Sequence, residues 1–396
     1  MSKQSETLIK NKPLNLYIDA SPLAESRITG IPHFTAELIK ALDEHPDNGK
    51  VFNLILLIAF DKRDKLSRWQ FKNTHIKDIS LPMRLLNLLW KYRLLPPMDI
   101  FFGKGVYLFP NYKNWPLLRS KNLTYIHDLS YLRYPKFTQP KNLKFLQRGV
   151  NRWVSRSDIV LTGSDHTKQE IVDLLNVPEE KVIRIYHGVG HSFYYPRSSN
   201  EIITAKSKYG IKGKYILHIG SLEPRKNLIN LIIAYKALPL KIRQLYGLCL
   251  IGGGGWLNGK IIDAINNAQT EGYNIIQPQS YVEDEDLPAL ISGSTILVHP
   301  AVYEGFGLPP LQAMACGVPV LVANNSSMPE VVGEAGVLFN AEKPEDISVK
   351  MDKVLSEQDY REQLSVKSLA QSKKFDWSIS ANELVNCIKK GTETNG

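Results

Sequence analysis

The chain has 396 residues but only three cysteines, Cys249, Cys316 and Cys387, scattered and odd in number. No CxxC pair occurs and no His/Cys group has zinc spacing. That excludes a disulfide framework and a structural zinc, and leaves three buried or half-buried thiols. Long apolar runs are missing too: the longest, Val51 to Phe60, stops well short of a membrane span. The opening MSKQSETLIKNK is polar and holds no apolar signal core. A cytoplasmic protein is expected, with contact to the inner membrane face at most. Internal repeats and low-complexity tracts are absent. There is no RNP-type aromatic motif, zinc finger or basic zipper, so no nucleic-acid partner is expected.

One glycine run looks like a phosphate loop and fails both tests. GGGGW (252–256) would need glycine at 257 or 258, where Leu257 and Asn258 stand, and no GK[ST] follows. An NAD-dependent or ATP-hydrolysing enzyme loses support. The run reads instead as a flexible loop that permits close backbone approach.

What the chain does have is positive charge, unevenly placed. The net charge is +10, and residues 1–200 hold 30 Lys and Arg against 18 Asp and Glu, while residues 201–396 hold 19 against 21. A basic first half points to a polyanion or a membrane surface facing that half, the plain alternative being lysine for solubility. The segment RLLNLLWKYRLL (84–95) mixes apolar and basic residues at roughly helical spacing. It suits a membrane-facing helix or an ordinary packed one.

Short apolar runs alternate with helical patterns throughout. LNLYIDA, VFNLILLIAF, VYLFP, LTYIHD and DIVLTGS read as strands in the first half. YILHIGS, YGLCLIG, STILVHP and VPVLVAN do so in the second. Each is rich in Val, Ile and Leu and bounded by Gly, Asp, Pro or Ser, as buried parallel strands are. The fold class expected is α/β, with two doubly wound Rossmann-like domains. The domains expected are residues 1–194 and 195–375, joined near SFYYPRSSNEI. A closing helix, about 376–396, packs back on the first.

In such sheets ligands sit beyond the carboxyl ends of the strands. After YILHI, Gly220 ends a strand, and Arg225 and Lys226 stand just before Asn227, a plausible helix N-cap. Two cations beside a helix N-terminus suit a diphosphate. An ordinary loop with exposed basic residues is the plain alternative. After STILVHP comes VYEGFGLPPLQAMACGVPV (302–320). Pro309 and Pro310 fit a first helical turn, and Gly317 fits its C-terminal stop. Gly305 and Gly307 allow the loop to aim the N–H groups of Phe306, Gly307 and Leu308 at ligand oxygens. Glu304 can accept hydroxyl protons, and Gln312, in the first helical turn, can reach the same pocket. An acid, free amides and a helix start together fit a sugar nucleotide. His299 reads as structural.

EGFGLPPLQAMACGVPV resembles the E-x7-E region of retaining family 4 glycosyltransferases of the GT-B fold, mannosyltransferases among them. GSLEPRKNL is similar to their phosphate-binding loop. SYVEDEDLPALISGSTILVHPAVYEGFG is similar to their base-binding loop, helix and strand, and NNSSMPEVVGEAGVLF to the stretch that follows. RITGIPHFTAEL resembles their glycine loop and YIHDLSYLRYP their His-Asp acceptor-side loop. The likeness runs from residue 14 to about 390 and is most specific in 215–340.

The resemblance implies two domains facing across a deep cleft, and hexose transfer from a nucleoside-diphosphate sugar to a glycan or lipid-linked saccharide. The donor would be GDP-mannose or a UDP-sugar, and the setting cell-surface polysaccharide assembly. No cofactor or metal is implied. By the same resemblance Arg225 and Lys226 hold the diphosphate, Glu304 binds the transferred sugar and His127 sits beside it. Gly30 and Gly220 lie near the phosphates, backbone near Val282 reads the base, and the amides of Phe306, Gly307 and Leu308 contact sugar or phosphate. Three positions differ from the family pattern. Gln312 replaces a second glutamate that binds the ribose, Pro32 stands in the glycine loop, and Gly190 replaces an acid. The other readings are a GT-B isomerase or phosphorylase, and a catalytically weak donor-binding partner subunit, which Gln312 motivates.

Overall fold

The computed structural model describes residues 12–25 and 30–393. The polar opening up to residue 11, residues 27–29 of the RITGIPHFTAEL stretch and the last three of the 376–396 segment lie outside the described residues.

Among the described residues thirteen strands form two sheets. The first holds β1 (Leu14–Asp19), β2 (Phe52–Ala59), β3 (His75–Ile79), β4 (Val106–Phe109), β5 (Lys121–Ile126), β6 (Ile159–Thr162) and β7 (Val182–Arg184), in the order β3-β2-β1-β4-β5-β6-β7. The second holds β8 (Lys214–Ile219), β9 (Tyr246–Ile251), β10 (Ile275–Ile276), β11 (Ile296–His299), β12 (Val320–Ala323) and β13 (Gly336–Phe339), in the order β10-β9-β8-β11-β12-β13. Every neighbouring pair in the second sheet runs parallel. Both orders reverse once, between β1 and β4 and between β8 and β11, as doubly wound sheets do.

The nine runs read as strands from the sequence are strands here. Helices on both faces bury them, and β9 and β12 are buried along their whole length. β3, β7, β10 and β13 escaped the sequence pattern, and all four are sheet edges. An edge strand is only partly covered, so His75 and Lys77 stay exposed in β3 and Asp78 only half-buried.

By compactness the described residues form two units. One contains residues up to 125 with 152–161 and 381–393; the other contains 126–151 and 162–380. In the first unit, Asn382 on the closing helix (Trp377–Glu393) pairs with His45 at 3.0 Å, and Lys389 Nζ donates to Asp47 at 2.8 Å. All three cysteines are buried thiols.

In the glycine run 252–255, Gly252 and Gly255 make the close backbone approach expected of it. It prolongs the β8–β9 pairing: Gly220 N–H donates to Ile251 O (2.9 Å) and Leu222 N–H to Gly253 O (3.1 Å). A Cβ on Gly252 would lie 2.0 Å from Gly220 O, and one on Gly255 would lie 2.6 Å from Leu222 O. Both obstacles are backbone, which cannot swing aside. Gly252→Ala is therefore expected to cost about 1–3 kcal/mol by forcing the two segments apart. Chemical unfolding measures this, and a variant as stable as the parent would show that the segments are not packed as described.

Candidate active site

The second unit's sheet reverses order between β8 and β11, and the chain leaving each of these strands carries charge. After β8 the segment Glu223-Pro224-Arg225-Lys226 makes one 3-10 turn before the helix Leu228–Lys236. Asn227 stands at the N-cap position, as expected, but does not cap. Its backbone is left-handed (φ 57°), and its side chain donates instead to Pro300 O (3.1 Å) and Ala341 O (2.7 Å). This ties the loop after β8 to the ends of β11 and β13.

After β11 the chain delivers Glu304 into the middle of the cations. Arg225 Nη1 lies 3.0 Å from Glu304 Oε2, Lys226 Nζ donates to Glu304 Oε1, and Arg225 Nη2 reaches Glu223 at 2.8 Å. Arg225 Nη1 also donates to Tyr303 O (2.8 Å). Lys226 is 7% exposed and Glu304 8%, so none of this is surface pairing. Burial alone would raise the Glu304 carboxyl, but Arg225, Lys226 and His299 together pull it well below the usual carboxylate range. Burial lowers the Lys226 ammonium, with Glu304 opposing. Burial also pulls on Arg225, but Glu304 and Glu223 outweigh it and keep the guanidinium charged.

His299, read as structural, touches this cluster. Its Nε2 lies 3.0 Å from Glu304 Oε1, and an ionised carboxylate only accepts, so the ring donates. Its ring stacks on His218 at 5.6 Å, and burial lowers both imidazoles, His218 to about 3. Glu304 is thus backed by neutral rings.

The loop itself is pinned. Ser326 Oγ accepts the Glu304 N–H (3.0 Å), and Ser327 Oγ donates to Glu304 O (2.9 Å) and Phe306 O (3.0 Å). Tyr303 Oη donates to Glu170 (2.5 Å), which Arg133 also holds (2.7 Å). A Cβ on Gly305 would fall 2.3 Å from His127 O, and Gly305 O accepts from Ser164 Oγ (2.7 Å). His127, half-buried, therefore lies against the same loop, its ring 6.1 Å from that of His187.

Gly307 has a left-handed backbone (φ 100°) and caps the helix Leu308–Ala315, with prolines in its first turn. That helix ends as read: Gly317 (φ 73°) donates to Met314 O and Val318 to Ala313 O, the paired closing bonds of a glycine stop. The N–H groups of Phe306, Gly307 and Leu308 donate to no acceptor among the described residues. Gln312 falls in the second turn, not the first. It is buried, and its amide donates to Tyr194 Oη at 3.0 Å. Gly220 ends β8 and packs on Gly252. Val282 is half-buried against the core and lies apart in sequence, before the turn Asp284–Asp286. Gly30 begins the helix Gly30–Asp43 in the first unit.

Comparison with known proteins follows the same lines. A family model described as "Glycosyl transferases group 1" matches residues 200–369, the segment that carries the cluster. The O-antigen chain mannosyltransferase B of Escherichia coli is 31% identical over 376 residues, covering 91% of this chain and 96% of that protein. The chain belongs to the group 1 glycosyltransferases. The serotype-specific mannosyltransferase WbdA of Escherichia coli is also 31% identical, over 66% of this chain but only 32% of that longer protein. Two crystal structures share the fold, each at 16% identity over 95% of this chain and 99% of theirs. They are Anabaena HepE in complex with UDP and glucose (TM-score 0.71) and WaaG, a glycosyltransferase involved in lipopolysaccharide biosynthesis (TM-score 0.65). The fold of this glycosyltransferase is GT-B, and among the described residues no helix is long and apolar enough to cross a membrane.

The sequence singled out Arg225, Lys226 and Glu304, and the structure brings them together. It missed Glu223, His299, Tyr303, Ser326 and Glu170. Glu223 lies two residues from Arg225 and Tyr303 next to Glu304, while His299, Ser326 and Glu170 meet the cluster through the fold. Glu304→Gln would leave two buried cations facing an amide, at an expected cost of roughly 3–5 kcal/mol at pH 7. Because Glu304 titrates lower folded than unfolded, its contribution is full above the unfolded value and is lost as pH falls through the folded one. The melting gap between parent and Glu304→Gln should therefore be widest at pH 7, begin to shrink below about 4.5 and close only well below that. A gap independent of pH would mean that Glu304 is not held ionised.

Proposed function

We propose that this glycosyltransferase transfers a hexose with retention, most directly mannose from GDP-mannose, a UDP-sugar being the alternative donor. The acceptor is a hydroxyl of a glycan or lipid-linked saccharide in surface-polysaccharide assembly. The observation that carries the reading is the buried Arg225–Lys226–Glu304 cluster at the reversal point of a parallel sheet. Fixed cations there suit a leaving diphosphate, and they need no rearrangement as charge develops on it. The mannosyltransferase names of the similar Escherichia coli proteins support the sugar.

In this reading Arg225 and Lys226 bind the diphosphate, Lys226 giving up part of its bond to Glu304 as phosphate oxygens arrive. Glu304 accepts hydrogen bonds from the sugar's hydroxyls, and the free amides of Phe306, Gly307 and Leu308 contact sugar or phosphate oxygens. Backbone near Val282 reads the base, Gly30 and Gly220 lie near the phosphates, and His127 stands beside the reacting carbon. The C1–O bond to phosphate breaks while the acceptor oxygen bonds C1 from the same face. The leaving phosphate takes the acceptor's proton, so no protein nucleophile and no metal is required.

The protein would work in the cytoplasm against the membrane face. The helix Met83–Lys91 and the chain after it expose Leu88, Tyr92 and Leu94 beside Arg84, Lys91 and Arg93, a combination that suits anionic headgroups.

The test is turnover with purified protein. GDP release from GDP-mannose, with a product whose anomeric proton shows the α configuration of the donor, is expected by NMR; inversion would refute retention. Release from a UDP-sugar alone would reassign the donor. Donor binding without any nucleoside diphosphate release would favour the partner-subunit reading that Gln312 motivates. Gln312→Glu is expected to tighten donor binding by about tenfold, since a charged acceptor contributes roughly 1–2 kcal/mol more than a neutral one. Calorimetry with the intact donor measures it, and unchanged affinity would remove residue 312 from the nucleotide site.

A further inference from the structure

A cavity of about 470 Å³ opens in the second unit, beyond the ends of β11, β12 and β13, and the chemistry above makes no use of it. Its size falls within the ~300–1,000 Å³ of small-molecule sites. Tyr134, Asn324, Asn325, Asn340, Glu342 and Lys350 supply most of its polar lining.

The walls are fixed. Asn324 N–H donates to Phe339 O (2.8 Å), closing the gap between β12 and β13. Glu342 N–H donates to Asn340 Oδ1 (2.9 Å), and Asn340 N–H to Asp346 (2.7 Å). Asn227 and Asn230 hold Ala341 O at 2.7 and 3.0 Å. On the opposite side Asn325 donates to Ala301 O (3.2 Å) and accepts from Ser326 Oγ (2.9 Å), the hydroxyl that receives the Glu304 N–H. The cavity and the cation cluster therefore share one loop. Val302 lines the cavity, and its N–H donates to Arg225 O (3.0 Å).

Three of the lining side chains, by contrast, are uncommitted. Among the described residues the Asn324 amide, the Glu342 carboxylate and the Lys350 ammonium have no partner. Tyr134 is 36% exposed, its ring stacked parallel on Phe137 at 5.8 Å and 5.9 Å from the ring of Tyr303.

This inventory selects a ligand. A phosphate would meet Glu342 and Asp346, and a cation would meet Lys350. A sugar hydroxyl both donates and accepts, as the Asn324 amide does, and the face of a tyrosine ring suits the C–H face of a pyranose. We infer that this cavity is a second saccharide subsite, which takes a neutral pyranose of the glycan other than the one transferred. The subsite rests on the glycan-transfer reading for its place in catalysis, but its occupancy is measurable without turnover.

The experiment titrates the intact protein with a panel of neutral oligosaccharides, manno-, gluco- and galacto-tri- and tetrasaccharides, by saturation-transfer NMR and calorimetry. Nucleoside diphosphates are titrated in a separate arm. At least one oligosaccharide should bind the parent. The Asn324→Ala/Lys350→Ala double variant should bind it roughly tenfold more weakly, through the loss of two hydrogen-bonding groups, with nucleotide binding unchanged. No binding across the panel, or equal binding to parent and variant, overturns the subsite. Oligosaccharide binding that the variant weakens, in a protein that binds no nucleoside diphosphate, would sustain the subsite and sink the transferase reading instead.

Discussion

The second unit is organised around one carboxylate held between two cations. Glu304 is buried with Lys226 and paired to half-buried Arg225, and taking such charges out of water is costly unless each finds good partners. The chain meets that condition by adding Glu223 to Arg225, His299 to Glu304 and the Tyr303 carbonyl to Arg225. Such a cluster is a poor way to gain stability, since apolar side chains of the same volume do as well. In the proposed function its use would lie in having charges already desolvated and aimed before a ligand arrives.

The fold explains why those charges meet. β8 and β11 lie side by side, and the chain leaves them in opposite directions, so the sheet itself opens a crevice at their ends. Small residues then let segments approach. Gly252 lies flat on Gly220, and Gly305 on the carbonyl of His127, each where a Cβ would strike backbone. Ser326 and Ser327 hold the loop from behind, and Glu170 anchors it through Tyr303. The three open amides at 306–308 follow from this geometry, because a left-handed Gly307 turns the chain into the helix with its N–H groups outward.

The central strands of both sheets were legible in the sequence, since burial on two faces writes an unbroken apolar run. The edge strands were not: HIKDI, VIR, II and GVLF are short or polar because one side is open. Arg225, Lys226 and Glu304 were legible because each follows a strand in a loop with glycine or proline. Their helpers were invisible. Nothing local links Glu170 to Tyr303 or Ser326 to Glu304, and His299 beside Pro300 looks like any strand-end histidine. Asn227 shows the opposite error: its position promises a helix cap, but two carbonyls from other loops claim its side chain. In the glycine run the close backbone approach read from the sequence falls to Gly252 and Gly255 alone.

Membership of the group 1 glycosyltransferases, similarity to mannosyltransferases and the charged crevice all bear on a single claim, that a diphosphate sits on Arg225 and Lys226. An experimental structure with a nucleoside diphosphate bound tests it most directly. The account predicts phosphate oxygens within about 3 Å of Lys226 Nζ and an Arg225 nitrogen. It would be contradicted by a diphosphate seated elsewhere, with the bonds from both cations to Glu304 unchanged.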